Sequence, residues 1–399
     1  MASVSSPIEV PAQERSRPVG VGLRLALDPL LTLAAVGLGA CSLLTLKGPT
    51  ATFVPGQPSY YVERQAIYLV VGLVLMVALS RLDYKALRRF RHALYGALML
   101  SILAVLAVGH SVNGSQRAID FPLFSFQSSE LGKVLLIASL AAFVAERSRN
   151  LRSPVNTLAT IAAALVPAAL VMLQPDLGSS LVYVAVAFLV LFVAGAPWRH
   201  MAGLVSFAVL AAVAVLIAAP AVGVHVLKPY QTERLTAFLH PSSNLRKEGW
   251  QQLESKIAIG SGQKTGRGVN ATQTRLSFVP EDDTDFVFAA VGEQFGFVGA
   301  ALVLSLYALL IWRTLRILTI APDRYGALIA AGVTAMLMFQ VFVNVGMSIG
   351  IMPITGVTLP LMSYGGSSVM TTLLAVGLLQ SIYVRARGAE ALRGRIFRY

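Results

Sequence analysis

Four carboxylates crowd the segment Pro280-Glu281-Asp282-Asp283-Thr284-Asp285-Phe286, immediately before an apolar run that starts at residue 286. Asp285 abuts that run. Like-charge crowding and partial loss of water are the conditions that turn a carboxylate into a general base, and they equally suit one ligand of a divalent cation. For Glu281 and Asp282 the plainer role is to complement the dipole of the helix that follows. A pair of cations is the second feature: Arg117, in Gln116-Arg117-Ala118-Ile119-Asp120, and Lys133, in Ser128-Ser129-Glu130-Leu131-Gly132-Lys133. They bracket an amphipathic stretch and offer a guanidinium fork and an ammonium point charge to a phosphate or diphosphate. The alternative is local, a Glu130–Lys133 pair one helical turn apart with Arg117 snorkelling to the interface.

In Gln174-Pro175-Asp176-Leu177-Gly178-Ser179-Ser180, Asp176 either binds a ligand or caps a helix after a turn, and capping is the simpler role. Between Met352 and Ser368, Pro353, Gly356, Pro360, Ser363, Gly365 and Gly366 interrupt the helical pattern. Such backbone persists near lipid only when it is buried in protein or lines a cavity, so packing and a substrate groove both remain open. Glu293 falls inside the apolar run after Asp285, on the same broad helical stripe. It is expected to face the bundle, either paired or protonated.

The elements that position these residues follow from composition. Of 399 residues, 56% are hydrophobic and 13% charged, and the mean hydropathy is +0.70. Soluble chains carry about 25% charged residues, so lipid is the solvent for most of this one. Ten apolar spans are expected at roughly 29–46, 66–80, 93–109, 133–145, 157–173, 180–196, 201–219, 286–312, 326–349 and 365–384. The fold class is therefore all-α, a polytopic membrane helix bundle, divided as a 1–27 tail, a 28–384 membrane domain and a basic 385–399 tail. The 1–27 segment lacks a small-residue cleavage site after a short apolar core and is expected to be retained.

An even number of spans puts both termini on one side. Lys and Arg concentrate in the loops of that side, which then carries the whole net charge of +13 and is expected to be cytoplasmic. That excess suits contact with anionic membrane lipids. No basic stripe with interleaved aromatics is present, so nucleic acid is not an expected partner. The lone Cys41 makes neither an intramolecular disulfide nor a zinc cluster. One outer segment, 220–285, is long, and its stretch from Trp250 to Ile259 has the pattern of a helix lying at the membrane interface. The absence of an internal repeat counts against an inverted-repeat transporter.

Five motifs in register on ten spans resemble the SEDS family, the shape, elongation, division and sporulation proteins. They are Arg117 with Glu130 and Lys133, Gln174 to Gly178, Lys256-Ile257-Ala258-Ile259-Gly260-Ser261-Gly262, Pro280 with Thr284-Asp285-Phe286, and Leu359 to Ser368. Within the family, Arg234 to Pro241 and Pro353 to Gly356 are most similar to the elongation-associated branch. The resemblance implies a peptidoglycan glycosyltransferase that polymerises lipid II at the outer face of a bacterial plasma membrane. It carries the catalytic Asp onto Asp285 and the cation pair onto Arg117 and Lys133. Glu130, Lys256 and Ser363 become substrate-binding candidates, with Thr284, Glu293 and Asp176 in support. A divalent cation, Mg or Mn, is a candidate cofactor at Asp285. The implied partner is a class B penicillin-binding protein, docked through its transmembrane helix and its outer domain. Two departures stand out: Ala118 replaces a common Trp, and Asp283 replaces a common His. The competing functions are a lipid II flippase and a non-catalytic scaffold for a transpeptidase.

Overall fold

The computed structural model describes residues 27–48, 50, 57–112, 115–120, 125–147, 153–215, 238, 248–275, 278 and 283–396. In chain order the elements are α1 (Pro29–Leu46), α2 (Tyr60–Arg81), α3 (Tyr84–Arg89), α4 (Arg91–Val108), β1 (His110–Val112), β2 (Ser115–Asp120), β3 (Ser125–Gln127), α5 (Ser128–Arg147), α6 (Pro154–Leu173), α7 (Leu177–Val193), α8 (Trp198–Val213), α9 (Glu248–Ser261), α10 (Thr272–Arg275), α11 (Val287–Ile320), α12 (Arg324–Ile349) and α13 (Gly366–Ile396). A helix lies at each of the ten expected spans. Eight of them are long and apolar enough to cross a membrane, while Leu177–Val193 and Trp198–Val213 are apolar but shorter. The basic run after residue 384 continues α13 to Ile396.

The bundle is apolar outside as well as in its core. α5, α12 and α13 are largely buried, whereas Leu100 and Leu103 of α4 and Phe297, Val298 and Leu302 of α11 are exposed. In a membrane that outer surface faces lipid tails, so burying it gains nothing, and helix association rests on close packing and hydrogen bonds instead. Close packing is seen where α13 lies along α2: a Cβ on Gly377 would come within 2.9 Å of the Met76 carbonyl oxygen. Polar clamps tie the helix ends. Asp28 caps α1 by accepting from Leu30 N (3.1 Å) and Leu31 N (3.0 Å), and its carboxylate also accepts from Arg313 Nε of α11 at 2.9 Å. The Asp28 amide donates to Gln380 of α13 at 2.7 Å, so one capping residue joins three helices.

One feature departs from the all-helical expectation, and one expected helix is docked more closely than an interfacial one would be. The amphipathic stretch that carries Arg117 is a small antiparallel sheet in the order β1-β2-β3, with Ala118 opposite both His110 and Gln127. Ser115 to Asp120 has no helical period, and cross-strand pairing satisfies its amides without one. The segment expected at the interface is helix α9, and one face of it docks on the bundle. Ser255 donates to the Ser348 carbonyl at 2.8 Å, and Ala258 packs with Phe286, Ala289 and Ile354. Trp250, Leu253 and Ile257 remain exposed. Most of 220–247 lies outside the described residues.

α11 is broken at Gly296, whose φ of 62° and ψ of −157° only glycine adopts without strain. The break frees backbone groups that the chain after α9 then satisfies. Phe297 N donates to Gln263 O at 2.8 Å, Val298 N to Lys264 O at 3.1 Å, and Arg267 N to Glu293 O at 2.8 Å. A side chain at 296 would strike the 264–266 backbone. The first part of α11, which begins just after Asp285, is thereby held by an inserted loop rather than by continuous helix.

Candidate active site

The Asp285 peptide is suspended between two distant parts of the chain. Asn344, buried near the C-terminal end of α12, donates through Nδ2 to the Asp285 carbonyl at 2.8 Å and to the Val357 carbonyl at 2.7 Å. The Ser363 hydroxyl donates to the Thr284 carbonyl and accepts from Leu359 N at 2.8 Å. Tyr364 N donates to the Asp283 carbonyl at 2.8 Å. On the far side, Phe286 is buried against Ala258 of α9, Ala289 and Ile354. The broken segment from Met352 to Ser368, with Asn344, thus holds the backbone of residues 283–285; Glu281 and Asp282 lie outside the described residues. Leu361, fully buried at φ 66°, is a point of backbone strain within the broken segment.

Asp285 is half-buried. Its Oδ2 lies 3.5 Å from where a Cβ on Gly356 would sit, and Gly356 itself has φ 73°. A side chain at 356 would strain the turn, and its Cβ would lie in van der Waals contact with the carboxylate.

Close by opens a cleft of about 320 Å³, lined among others by Arg64, Tyr68, Gln127, Thr358, Tyr364 and Ser368. Ala118 also lines it, which brings the strand carrying Arg117 to its wall. The Arg117 side chain lies outside the described residues. Arg64 stacks on the Tyr60 ring, 4.6 Å from its centroid. Gln65, the next residue, is fully buried: its Nε2 donates to the Ser363 carbonyl and to Ser42 Oγ, both at 3.1 Å, and its Oε1 accepts from Gly365 N at 3.3 Å. Burial, and then the neighbouring Tyr68, push the Tyr364 hydroxyl above its ordinary range, so it stays neutral at the cleft.

The other expected site residues divide. Lys133 and Glu130 are both buried, with Nζ 2.6 Å from Oε1, so the local pair is formed. Asp176 caps α7 by accepting from Ser179 N at 3.0 Å, and it accepts from Ser129 Oγ at 2.8 Å, which ties α7 to α5. Glu293 is paired, its two oxygens accepting from Gln273 N (2.8 Å) and Thr274 N (2.9 Å) at the start of α10. Lys256 is exposed and lays its chain against Gly350 at the end of α12. Asn344, Gln65 and Arg64 were not among the expected residues. Their signal was available as polar side chains within or beside apolar runs of α12 and α2.

Residues 26–388 match the family described as Cell cycle protein, FtsW/RodA/SpoVE. The chain belongs to this family. Stage V sporulation protein E of Bacillus subtilis (strain 168) is 33% identical, over 88% of this chain and 95% of that protein. Peptidoglycan glycosyltransferase MrdB of Escherichia coli (strain K12) is 35% identical, over 91% of this chain and 95% of that protein. The crystal structure of the Thermus thermophilus rod shape determining protein RodA superposes with a TM-score of 0.64 at 31% identity, over 91% of this chain and 98% of that one. A chain from work on structural coordination of polymerization and crosslinking by a peptidoglycan synthase complex gives 0.75 at 34% identity, over 91% and 99%. This FtsW/RodA/SpoVE protein is accordingly a multi-pass helical membrane protein. Among its described residues no three His, Cys, Asp or Glu side chains converge to cage a metal. A single carboxylate with substrate oxygens and water still fits the manner in which Mg²⁺ is usually held.

Proposed function

We propose that this protein is a peptidoglycan glycosyltransferase that polymerises lipid II into glycan strands at the outer face of a bacterial plasma membrane, with both termini cytoplasmic, in elongation and shape. The names of its relatives support the reaction. The observation that carries the site is the Asp285 peptide, tied through Asn344 to Val357 and flanked by Ser363 and Tyr364. A base held on fixed backbone keeps its geometry through the reaction.

In the proposed step Asp285 takes the proton of the acceptor sugar hydroxyl. The hydroxyl oxygen forms a bond to the donor anomeric carbon as that carbon's bond to the diphosphate breaks. The diphosphate leaves with the bonding electrons, and displacement at an α-linked donor inverts it to a β-glycoside. Arg117 and Lys133 are assigned to the diphosphate, with Glu130 and Lys256 around the substrate and Ser363 acting through the Thr284 peptide that it holds. Alternatively, Asp285 would hold a Mg²⁺ or Mn²⁺ ion, which would position the acceptor hydroxyl and supply charge neutralisation for the leaving group. The partner is a class B penicillin-binding protein, whose transmembrane helix and outer domain dock on this bundle. The peptidoglycan synthase complex among the structural relatives supports this choice.

The test is polymerisation of labelled lipid II by the purified full chain, with and without the transpeptidase. Strands that form despite a penicillin-type inhibitor support the proposal. No polymer under any condition, together with lipid II translocation in liposomes, would replace it with a flippase.

Asn344→Ala is expected to lower turnover roughly 10²-fold with little change in KM for lipid II, the effect of a displaced catalytic group rather than of lost substrate binding. Asn344→Asp, which keeps the shape but loses both N–H donors, is expected to behave alike. Saturation kinetics on the two variants check this; a rise in KM at unchanged kcat would refute the positioning role.

A further inference from the structure

At the opposite end of the bundle from Asp285, the first turn of α4 meets the last turns of α5 and the flank of α6. A groove of about 210 Å³ opens there between the three helices, lined by Arg91, His92, Tyr95, Ser139, Leu140, Phe143 and Ala163. Its two ends differ in chemistry. Arg91 and His92 stand at the mouth, and Leu140, Phe143 and Ala163 form the inner wall. Ala163 lies nine residues into α6, which at the helical rise is about 14 Å along its axis. The groove therefore runs from the charged rim well into the apolar zone.

Charge at the mouth is unbalanced. Arg91 and Arg88 both reach the one carboxylate of Glu146, Arg91 in direct contact and Arg88 at 3.9 Å. Arg147 adds a third guanidinium, stacked 3.8 Å from the centroid of Phe143, whose ring is part of the wall. Arg91 Nε also donates to His92 Nε2 at 3.1 Å. Among the described residues two arginines thus share one acid, with Arg147 stacked beside them, next to a slot whose deeper walls are mostly apolar. The Arg91 side chain is 30% exposed, open enough to meet a ligand.

We propose that this groove is a binding site for an anionic glycerophospholipid, its phosphate at Arg91 and Arg147 and one acyl chain along Phe143, Leu140 and Ala163. Basic pockets between transmembrane helices are where headgroups of this kind are held. The phosphate supplies the negative charge that Glu146 alone does not, and the acyl chain packs into the mostly apolar slot between the three helices. Binding here does not depend on the reaction proposed for Asp285.

Native mass spectrometry of the delipidated full chain, titrated with phosphatidylglycerol or phosphatidylcholine, tests the site. Wild type is expected to retain one phosphatidylglycerol in preference to phosphatidylcholine. Arg91→Gln should weaken that retention about fivefold, the effect of one surface arginine on an anionic lipid. Ala163→Trp fills the slot without changing charge and should weaken it comparably. Arg387→Gln, which removes the same charge from a residue paired with Glu390 outside the groove, should leave it unchanged. Equal loss in Arg387→Gln would mean diffuse charge attraction and overturn the site. So would undiminished binding in Ala163→Trp, or full competition by inorganic phosphate alone.

Discussion

Asp285→Asn is expected to cut glycan polymerisation by roughly 10²–10⁴-fold, the usual worth of a positioned general base. The variant keeps the side chain's shape. It also keeps the main-chain bond to Asn344, because that bond reaches the Asp285 carbonyl and not the carboxylate. The fold should therefore survive, and thermal melting of the variant should match wild type. Asp285→Ala should be equally inactive. Gel analysis of strands made from labelled lipid II reads both. If either variant polymerises at the wild-type rate while wild type is active, the base lies elsewhere and the glycosyltransferase reading stands without it. If wild type itself makes no strands, the functional reading fails before the residue is at issue.

The second large effect concerns Lys133. Its side chain is 2% exposed and is paired with Glu130 at 2.6 Å, one turn earlier at the start of α5. Lys133→Met leaves the Glu130 carboxylate buried without its partner, a change that costs about 3–5 kcal/mol of stability. The double variant Glu130→Gln with Lys133→Met removes the uncompensated charge and should recover most of that loss. Activity separates the two roles that the sequence left open. If Lys133 also serves the diphosphate, the restabilised double variant remains inactive. Recovery of polymerisation along with stability would make the pair structural. Thermal melting and the strand assay on the same three proteins decide between these outcomes.

Gly296 and Asn344 illustrate opposite ends of what a linear reading can reach. Nothing in the run from Phe286 to Trp312 marks Gly296 as a break, because glycine is common in membrane helices and tolerated within them. The break exists because the 263–267 loop enters and takes over the freed hydrogen bonds. Asn344 is visible as a polar residue in an apolar helix, but its targets are the carbonyls of residues 285 and 357. The small sheet beside α5 is likewise a product of pairing between segments rather than of any one segment's pattern.

By itself the sequence determined the solvent, the positions of ten helices and the placing of Asp285 at the head of α11. Each of these depends on local hydrophobicity over a length set by the bilayer, and such information is contained in consecutive residues. The tertiary structure alone decided which polar groups meet. It buried the local Glu130–Lys133 pair, tied the Asp176 cap to Ser129 of α5, gave the Glu293 carboxylate two backbone donors from α10, and brought Gln65, Asn344 and Ser363 to the backbone of residues 284–285 and 363–365. Those meetings depend on how each helix is rotated about its axis and how closely its neighbours approach. In lipid, that is governed by side-chain packing and long-range hydrogen bonds, which the hydrophobic pattern does not encode.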